Sequence, residues 1–166
     1  MNVIFPGSFD PVTNGHINIA RRSSNIFTRV IVAVLDNPYK TPLFSVDERV
    51  ALLKEVFHED KNIDVEAFSG LLVDYANRKG INNIIRGIRN QDDFTKEQPY
   101  AIWNRQLSKN LTETIYLPAE PSLSHISGSI IREVATHLYN SRHEDKILAS
   151  MVPPHVLAAL GEKLKN

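Results

Sequence analysis

Met1-Asn2-Val3-Ile4-Phe5-Pro6-Gly7-Ser8-Phe9-Asp10-Pro11-Val12-Thr13-Asn14-Gly15-His16 opens the chain, and the reading of this stretch decides the fold. Val3, Ile4 and Phe5 form a short apolar run that Pro6-Gly7 ends, the pattern of a buried strand. Helical spacing follows, with Ile19, Ala20, Ser23, Ile26 and Phe27 on one side, so a helix is expected over residues 15–27. A strand that feeds a loop and then a helix leaves free backbone N–H groups and the positive end of a dipole at that loop. Such a corner suits an anion, most often phosphate. His16 stands in the first turn, where its side chain can face the same anion. The stretch contains neither G-x-x-x-x-G-K-S/T nor G-x-G-x-x-G, the two common phosphate-loop patterns.

Outward from this corner, strands and helices alternate. Residues 29–35 are a near-continuous β-branched run, as expected of a strand covered on both faces. Ser45 and Glu48 form a capping box ahead of Val46, Val50, Leu53 and Phe57 at helical spacing. A strand is expected at 63–67, a helix at 71–79 stopped by Gly80, and a strand at 83–85. A helix fills much of 92–107, although Pro99 falls inside it. A fifth strand at 114–117 and helices at 129–139 and 153–163 complete the order. This alternation implies an α/β fold: one domain over residues 1–166, a doubly wound five-stranded parallel sheet of Rossmann-like kind, with a helical tail from about 140 to 166. Ligands of such sheets bind beyond the C-terminal strand ends. Ser8, His16, Lys40, Arg86, Arg89 and the segment 123–129 all follow strands, so they should converge on one rim. No residue there is an activated nucleophile, so catalysis would rest on positioning and charge stabilisation, as in phosphoryl and nucleotidyl transfer.

Composition excludes several classes. Lysine plus arginine equals aspartate plus glutamate, 19 each, which argues against a broad basic face for nucleic acid. There is no cysteine, hence no disulfide and no thiolate metal site. No stretch is apolar enough to span a membrane, and no signal-like segment precedes the first strand, so the expected compartment is the cytoplasm.

Thr13-Asn14-Gly15-His16 matches the H/T-x-G-H signature of the nucleotidyltransferase superfamily. With Pro6-Gly7-Ser8-Phe9-Asp10-Pro11 before it, Ile85-Arg86-Gly87-Ile88-Arg89, Asp93-Phe94 with Glu97, and Ile126-Ser127-Gly128-Ser129-Ile130-Ile131-Arg132, the chain resembles the bacterial phosphopantetheine adenylyltransferases from its start to about Ala135. The resemblance implies transfer of adenylate from ATP to 4′-phosphopantetheine, giving dephospho-coenzyme A and pyrophosphate in coenzyme A biosynthesis, with Mg²⁺ as cofactor. It gives His16 the stabilisation of the transition state and adds Lys40 and Arg89 as catalytic groups. Ser8, Lys40, Leu72 and Arg86 become contacts to phosphopantetheine. Ser8, Phe9, His16, Gly87, Ile88, Arg89 and Glu97 become contacts to ATP, together with Leu123, Ser124, His125, Ile126, Ser127, Gly128 and Ser129. It further implies a homohexamer, and coenzyme A as a candidate feedback inhibitor.

Three positions depart from the family pattern. Gly128 stands where a third hydroxyl residue is usual, Thr95-Lys96 where Glu-Tyr is usual, and Pro99 where the helix should continue. The alternatives are another small-molecule nucleotidyltransferase, of the nicotinamide mononucleotide adenylyltransferase or glycerol-phosphate cytidylyltransferase type, and a non-catalytic relative that only binds ATP. Thr13 and the downstream Arg86-Gly87-Ile88-Arg89 disfavour the first; Gly128 and Lys96 keep the second open.

Overall fold

Asn2–Gly7 (β1), Arg29–Asp36 (β2), Ile63–Ser69 (β3), Asn83–Ile88 (β4) and Glu113–Pro118 (β5) form one all-parallel sheet in the order β3-β2-β1-β4-β5. The structure is a computed structural model, described over residues 1–39, 41–141 and 146–165. Helices Asn14–Ser24 (α1), Val46–Val56 (α2), Leu72–Lys79 (α3) and Gln91–Leu107 (α4) link the strands, and Gly128–Ser141 (α5), Lys146–Ala149 (α6) and Pro154–Leu164 (α7) follow. The doubly wound reading of the sequence therefore holds. The β-branched run in β2 divides between two faces. Val30, Val32 and Val34 join Val3, Phe5 and Ile85 in a core that also takes Leu53, Ile131, Leu148 and Leu160. Ile31 and Ala33 join Ile4, Phe68, Tyr75 and Ile81 on the other side. Side chains alternate across a strand, so a run that is apolar throughout requires cover on both faces.

Local chemistry sets most boundaries. Ser45 and Glu48 cap α2 reciprocally: the Ser45 N–H donates to Glu48 Oε2 at 2.7 Å, and the Glu48 N–H to Ser45 Oγ at 3.2 Å. Gly80 ends α3 at φ +64°, a left-handed value that glycine adopts freely. α1 stops at Ser24, three residues before the expected Phe27, because Asn25 turns the chain and its N–H bonds back to Arg22 and Ser23. β4 runs three residues past its expected end and carries Arg86, Gly87 and Ile88 within the sheet. α4 passes through Pro99 without a break. Pro99 and Thr95 are both exposed, so the Thr95 carbonyl that loses its donor lies on the solvent side. The short helix α6 and a 3-10 turn at Pro121–Leu123 have no counterpart in the sequence reading.

Candidate active site

Strand order reverses between β1 and β4, so the crevice opens beyond Pro6-Gly7 and Arg86-Gly87. Phe9 takes a left-handed φ of +49° and buries its ring edge-on to Phe5 at 5.4 Å and to His16 at 5.1 Å. Gly7 makes this possible, since a Cβ there would stand 2.9 Å from Phe9 Cζ. The ring forms the floor beneath His16.

Thr13 and His16 close a capping box on α1. The Thr13 N–H donates to His16 Nδ1 at 3.1 Å, Thr13 Oγ1 lies 3.1 Å from the same nitrogen, and the His16 N–H donates to Thr13 Oγ1 at 3.4 Å. An Nδ1 that accepts from a backbone N–H leaves the proton of the neutral ring on Nε2. Burial, and secondarily the positive charge of Arg89, push the His16 pKa from 6.5 down to about 4. His16 is therefore a neutral imidazole presenting Nε2–H to the cavity.

Helix α1 offers fewer free donors than the sequence implied. The Asn14 N–H is taken by Met151 O at 2.8 Å, His16 by Thr13 Oγ1, and Ile17 by Thr13 O at 3.1 Å. The freer helix start is that of α5. There Ser127 caps, accepting from Ile130 N–H on its side chain at 3.2 Å and from Ile131 N–H on its carbonyl at 2.9 Å. The N–H groups of Gly128 and Ser129 have no partner among the described residues. Gly128 also lets α5 approach the β1 corner, for a Cβ would meet Asp10 O at 3.1 Å.

Two arginines from the end of β4 frame the site. Arg89 pairs with Asp93, its Nε donating to Oδ2 at 2.7 Å and its Nη2 to Oδ1 at 2.9 Å, and Nη1 reaches Ile126 O at 3.3 Å. Asp93 is held below the usual carboxylate range, chiefly by the bond from Arg89. Arg86 pairs with Glu97 at 2.6 and 2.9 Å and donates Nη1 to Pro6 O at 2.7 Å. Two cavities meet here and share Pro6, Gly7, Arg86 and Glu97. The first holds His16, Arg89, Ser127 and Gly128. The second is the larger, with Leu35, Phe68, Leu71, Leu72 and Ile84 in its wall beside the polar Ser8, Asn37, Asn104 and Thr114. Asp10 also lines it. Its buried carboxylate accepts the N–H groups of Leu43 at 3.0 Å and Phe44 at 2.9 Å, and Arg132 pairs with it at 3.4 Å.

The cytidylyltransferase-like family model matches residues 4–134. A phosphopantetheine adenylyltransferase of Alkaliphilus metalliredigens is 44% identical over 160 residues, covering 96% of this chain and 97% of its own. One from Caldanaerobacter subterraneus is 44% identical over 163 residues, covering 98% and 97%. The chain belongs to the phosphopantetheine adenylyltransferase family. A solved Plasmodium falciparum nicotinic acid mononucleotide adenylyltransferase, complexed with NaAD, superposes at a TM-score of 0.71 with 13% identity over 97% of this chain and 94% of its own, a likeness of fold.

For a phosphopantetheine adenylyltransferase-family chain, the residues singled out in the sequence fall into groups. Phe9, His16, Gly87, Arg89, Glu97, Leu123, Ile126, Ser127 and Gly128 line the first cavity. Ser8, Leu72 and Arg86 line the second, with Arg86 common to both. Ile88, Ser124, His125 and Ser129 line neither, and His125 and Ser129 are exposed. Lys40 lies outside the described residues. Thr13, Asp10, Asp93 and Arg132 were not read as site residues. Thr13 and His16 at N-cap and N3 spacing was the local signal for the first, and Arg89 four residues before Asp93 was one for the third, whereas the partners of Asp10 and Arg132 are fixed by packing.

Proposed function

We propose that this chain transfers the adenylyl group of ATP to the phosphate of 4′-phosphopantetheine, giving dephospho-coenzyme A and pyrophosphate in coenzyme A biosynthesis. The observation that carries this reading is the pair of adjoining cavities, one around His16 and Arg89 and a larger one with Leu35, Phe68, Leu71 and Leu72 in its wall, meeting at Arg86 and Glu97. The cavity around His16 and Arg89 suits the nucleotide, and the larger one suits a pantetheine arm whose phosphate ends near Arg86. An oxygen of that phosphate bonds to the α-phosphorus of ATP as the bond to the α,β-bridging oxygen breaks. Pyrophosphate leaves with that electron pair. Neutral His16 donates Nε2–H to a non-bridging α-oxygen, and this bond strengthens as charge builds there. The unpartnered Gly128 and Ser129 N–H groups and Arg89 favour the leaving pyrophosphate. Lys40 and Arg86 hold the attacking phosphate in this scheme.

Mg²⁺ fits as a companion of the nucleotide rather than as a resident ion. Asp93 and Glu97, the carboxylates of the first cavity, are engaged by arginines, and no group of three or more potential ligands occurs among the described residues. Mg²⁺ would supply charge neutralisation on the triphosphate. A homohexamer agrees with the exposed apolar side chains Tyr100, Ile102, Trp103, Leu107 and Leu111. Coenzyme A, which joins a pantetheine arm to an adenylate, would span both cavities as an inhibitor. We place the enzyme in the cytoplasm; no helix among the described residues is long and apolar enough to cross a membrane.

The deciding assay is pyrophosphate release from ATP and Mg²⁺ with and without 4′-phosphopantetheine. Release that needs the acceptor and yields dephospho-coenzyme A is expected. ATP binding without release would overturn the reading in favour of a non-catalytic relative. His16→Ala should lower turnover about 10²–10³-fold with little loss of ATP affinity.

A further inference from the structure

We infer that Asn14 is a positioning residue, through which the turn between α6 and α7 holds the His16 cap in its working geometry. The inference rests on the role given above to His16. Asn14 is the variable residue of the Thr13–His16 signature, and it occupies the first helical position of α1. Its neighbours Thr13 and Gly15 line the cavity, but Asn14 does not. It bonds instead to the C-terminal segment: its N–H donates to Met151 O at 2.8 Å, and its Nδ2 donates to Ser150 O at 2.9 Å. The side-chain bond spans 136 positions in the chain.

The two acceptors are themselves fixed. Met151 N–H bonds to Leu148 O at 2.9 Å, Val152 N–H to the same carbonyl at 3.1 Å, and Ser150 Oγ–H to Ile147 O at 2.7 Å. Leu148 and Val152 are fully buried in the main core, so the turn cannot shift without opening that core. The N–H of a first helical residue normally faces solvent or an anion. Here it is consumed, and its bond to Met151 O fixes the Thr13–Asn14 peptide plane while the Nδ2 bond anchors the side chain to the same turn. That plane joins Thr13, whose N–H and hydroxyl set the tautomer and tilt of His16. A displacement of about 1 Å at a reacting group costs about a hundredfold in rate, so a clamp on this residue bears on turnover without touching substrate.

Two substitutions separate positioning from folding. Asn14→Ala removes only the side-chain bond. Asn14→Pro removes the backbone donor too, at a position where proline suits a helix start, and Thr13 already has the extended φ of −127° and ψ of 163° that a following proline requires. Asn14→Ala should lower kcat about tenfold and leave both KM values within about twofold; Asn14→Pro should lower kcat about a hundredfold. The specific readout is ¹⁵N NMR of the His16 ring in free enzyme. The wild type should hold one Nε2–H tautomer, and the variants should show tautomer exchange and a titration midpoint moved toward 6.5. Turnover within about twofold of wild type in both variants, or lost turnover with the His16 tautomer unchanged, would overturn the inference. If Asn14→Pro does not fold, Asn14→Ala decides alone. His16→Ala is measured alongside: if it keeps near-normal turnover, the role of His16 fails, whereas a slow His16→Ala beside fully active Asn14 variants defeats only the clamp.

Discussion

Acidifying the free enzyme should leave His16 neutral far below the pH at which an ordinary histidine charges. The ring titrates at about 4 in the folded chain against 6.5 for an unperturbed histidine. Between those values the unfolded chain binds more protons than the folded one, so the His16 contribution to stability is full above 6.5 and fades as pH falls toward 4. At 1.36 kcal/mol per unit, the whole shift is worth about 3 kcal/mol. About 2 kcal/mol of that is lost between pH 7 and pH 5. Urea unfolding at these two pH values, for the wild type and for His16→Gln, isolates the effect. The wild type should lose about 2 kcal/mol more than the variant on acidification. Direct NMR titration of the ring gives the midpoint itself. Arg89→Gln should raise that midpoint yet leave it below 6.5, because burial outweighs the Arg89 charge as the cause. A wild-type midpoint near 6.5, or equal acid losses in the wild type and His16→Gln, would refute the desolvated, Nδ1-capped imidazole.

Two further substitutions probe the walls of the site. Asp10→Asn turns an amide toward the Leu43 and Phe44 N–H donors and removes the charge paired with Arg132, so it should cost about 3 kcal/mol by chemical denaturation. It should also raise the KM for phosphopantetheine more than that for ATP, since Asp10 with the adjoining Thr41 and Pro42 walls the second cavity. Equal changes in the two KM values would argue against this placement. Gly87→Ala sets a Cβ 3.0 Å from Cγ1 of the buried Ile19, so it should cost about 1–3 kcal/mol and weaken ATP binding in a direct titration. An unchanged ATP affinity would take Gly87 and Ile19 out of the nucleotide wall.

Oppositely charged groups in the cleft are already paired before any substrate arrives. Arg86 holds Glu97, and Arg89 holds Asp93. Arg86 uses Nε, Nη1 and Nη2 in its three bonds to Glu97 and Pro6, and a guanidinium carries five N–H donors. Two donors therefore stay available to a phosphate oxygen. Pairing keeps these cations fixed in place, which suits a reaction that depends on aligning two phosphates rather than on a nucleophilic side chain.

The sequence by itself determined the alternation of strands and helices, the two-sided cover of β2, the Ser45–Glu48 cap, the Gly80 stop and the rim on which His16, Arg86 and Arg89 meet. These are local matters: side-chain period, turn residues and caps act within a few positions of the chain. The family motifs then named more than half of the lining of the first cavity but little of the second. Only the tertiary structure decided that Arg86 answers to Glu97 and that Asp10 ties the segment at Leu43 and Phe44 to the β1 corner. It alone showed that the donors expected free at the start of α1 are largely spent, one of them on Met151. Pro99 stays within α4 because its side of the helix faces solvent, which no local propensity could reveal. Each of these outcomes depends on which distant carbonyl or carboxylate packing brings within about 3 Å, and hydrogen bonds of that range are set by the assembled core rather than by neighbours in sequence.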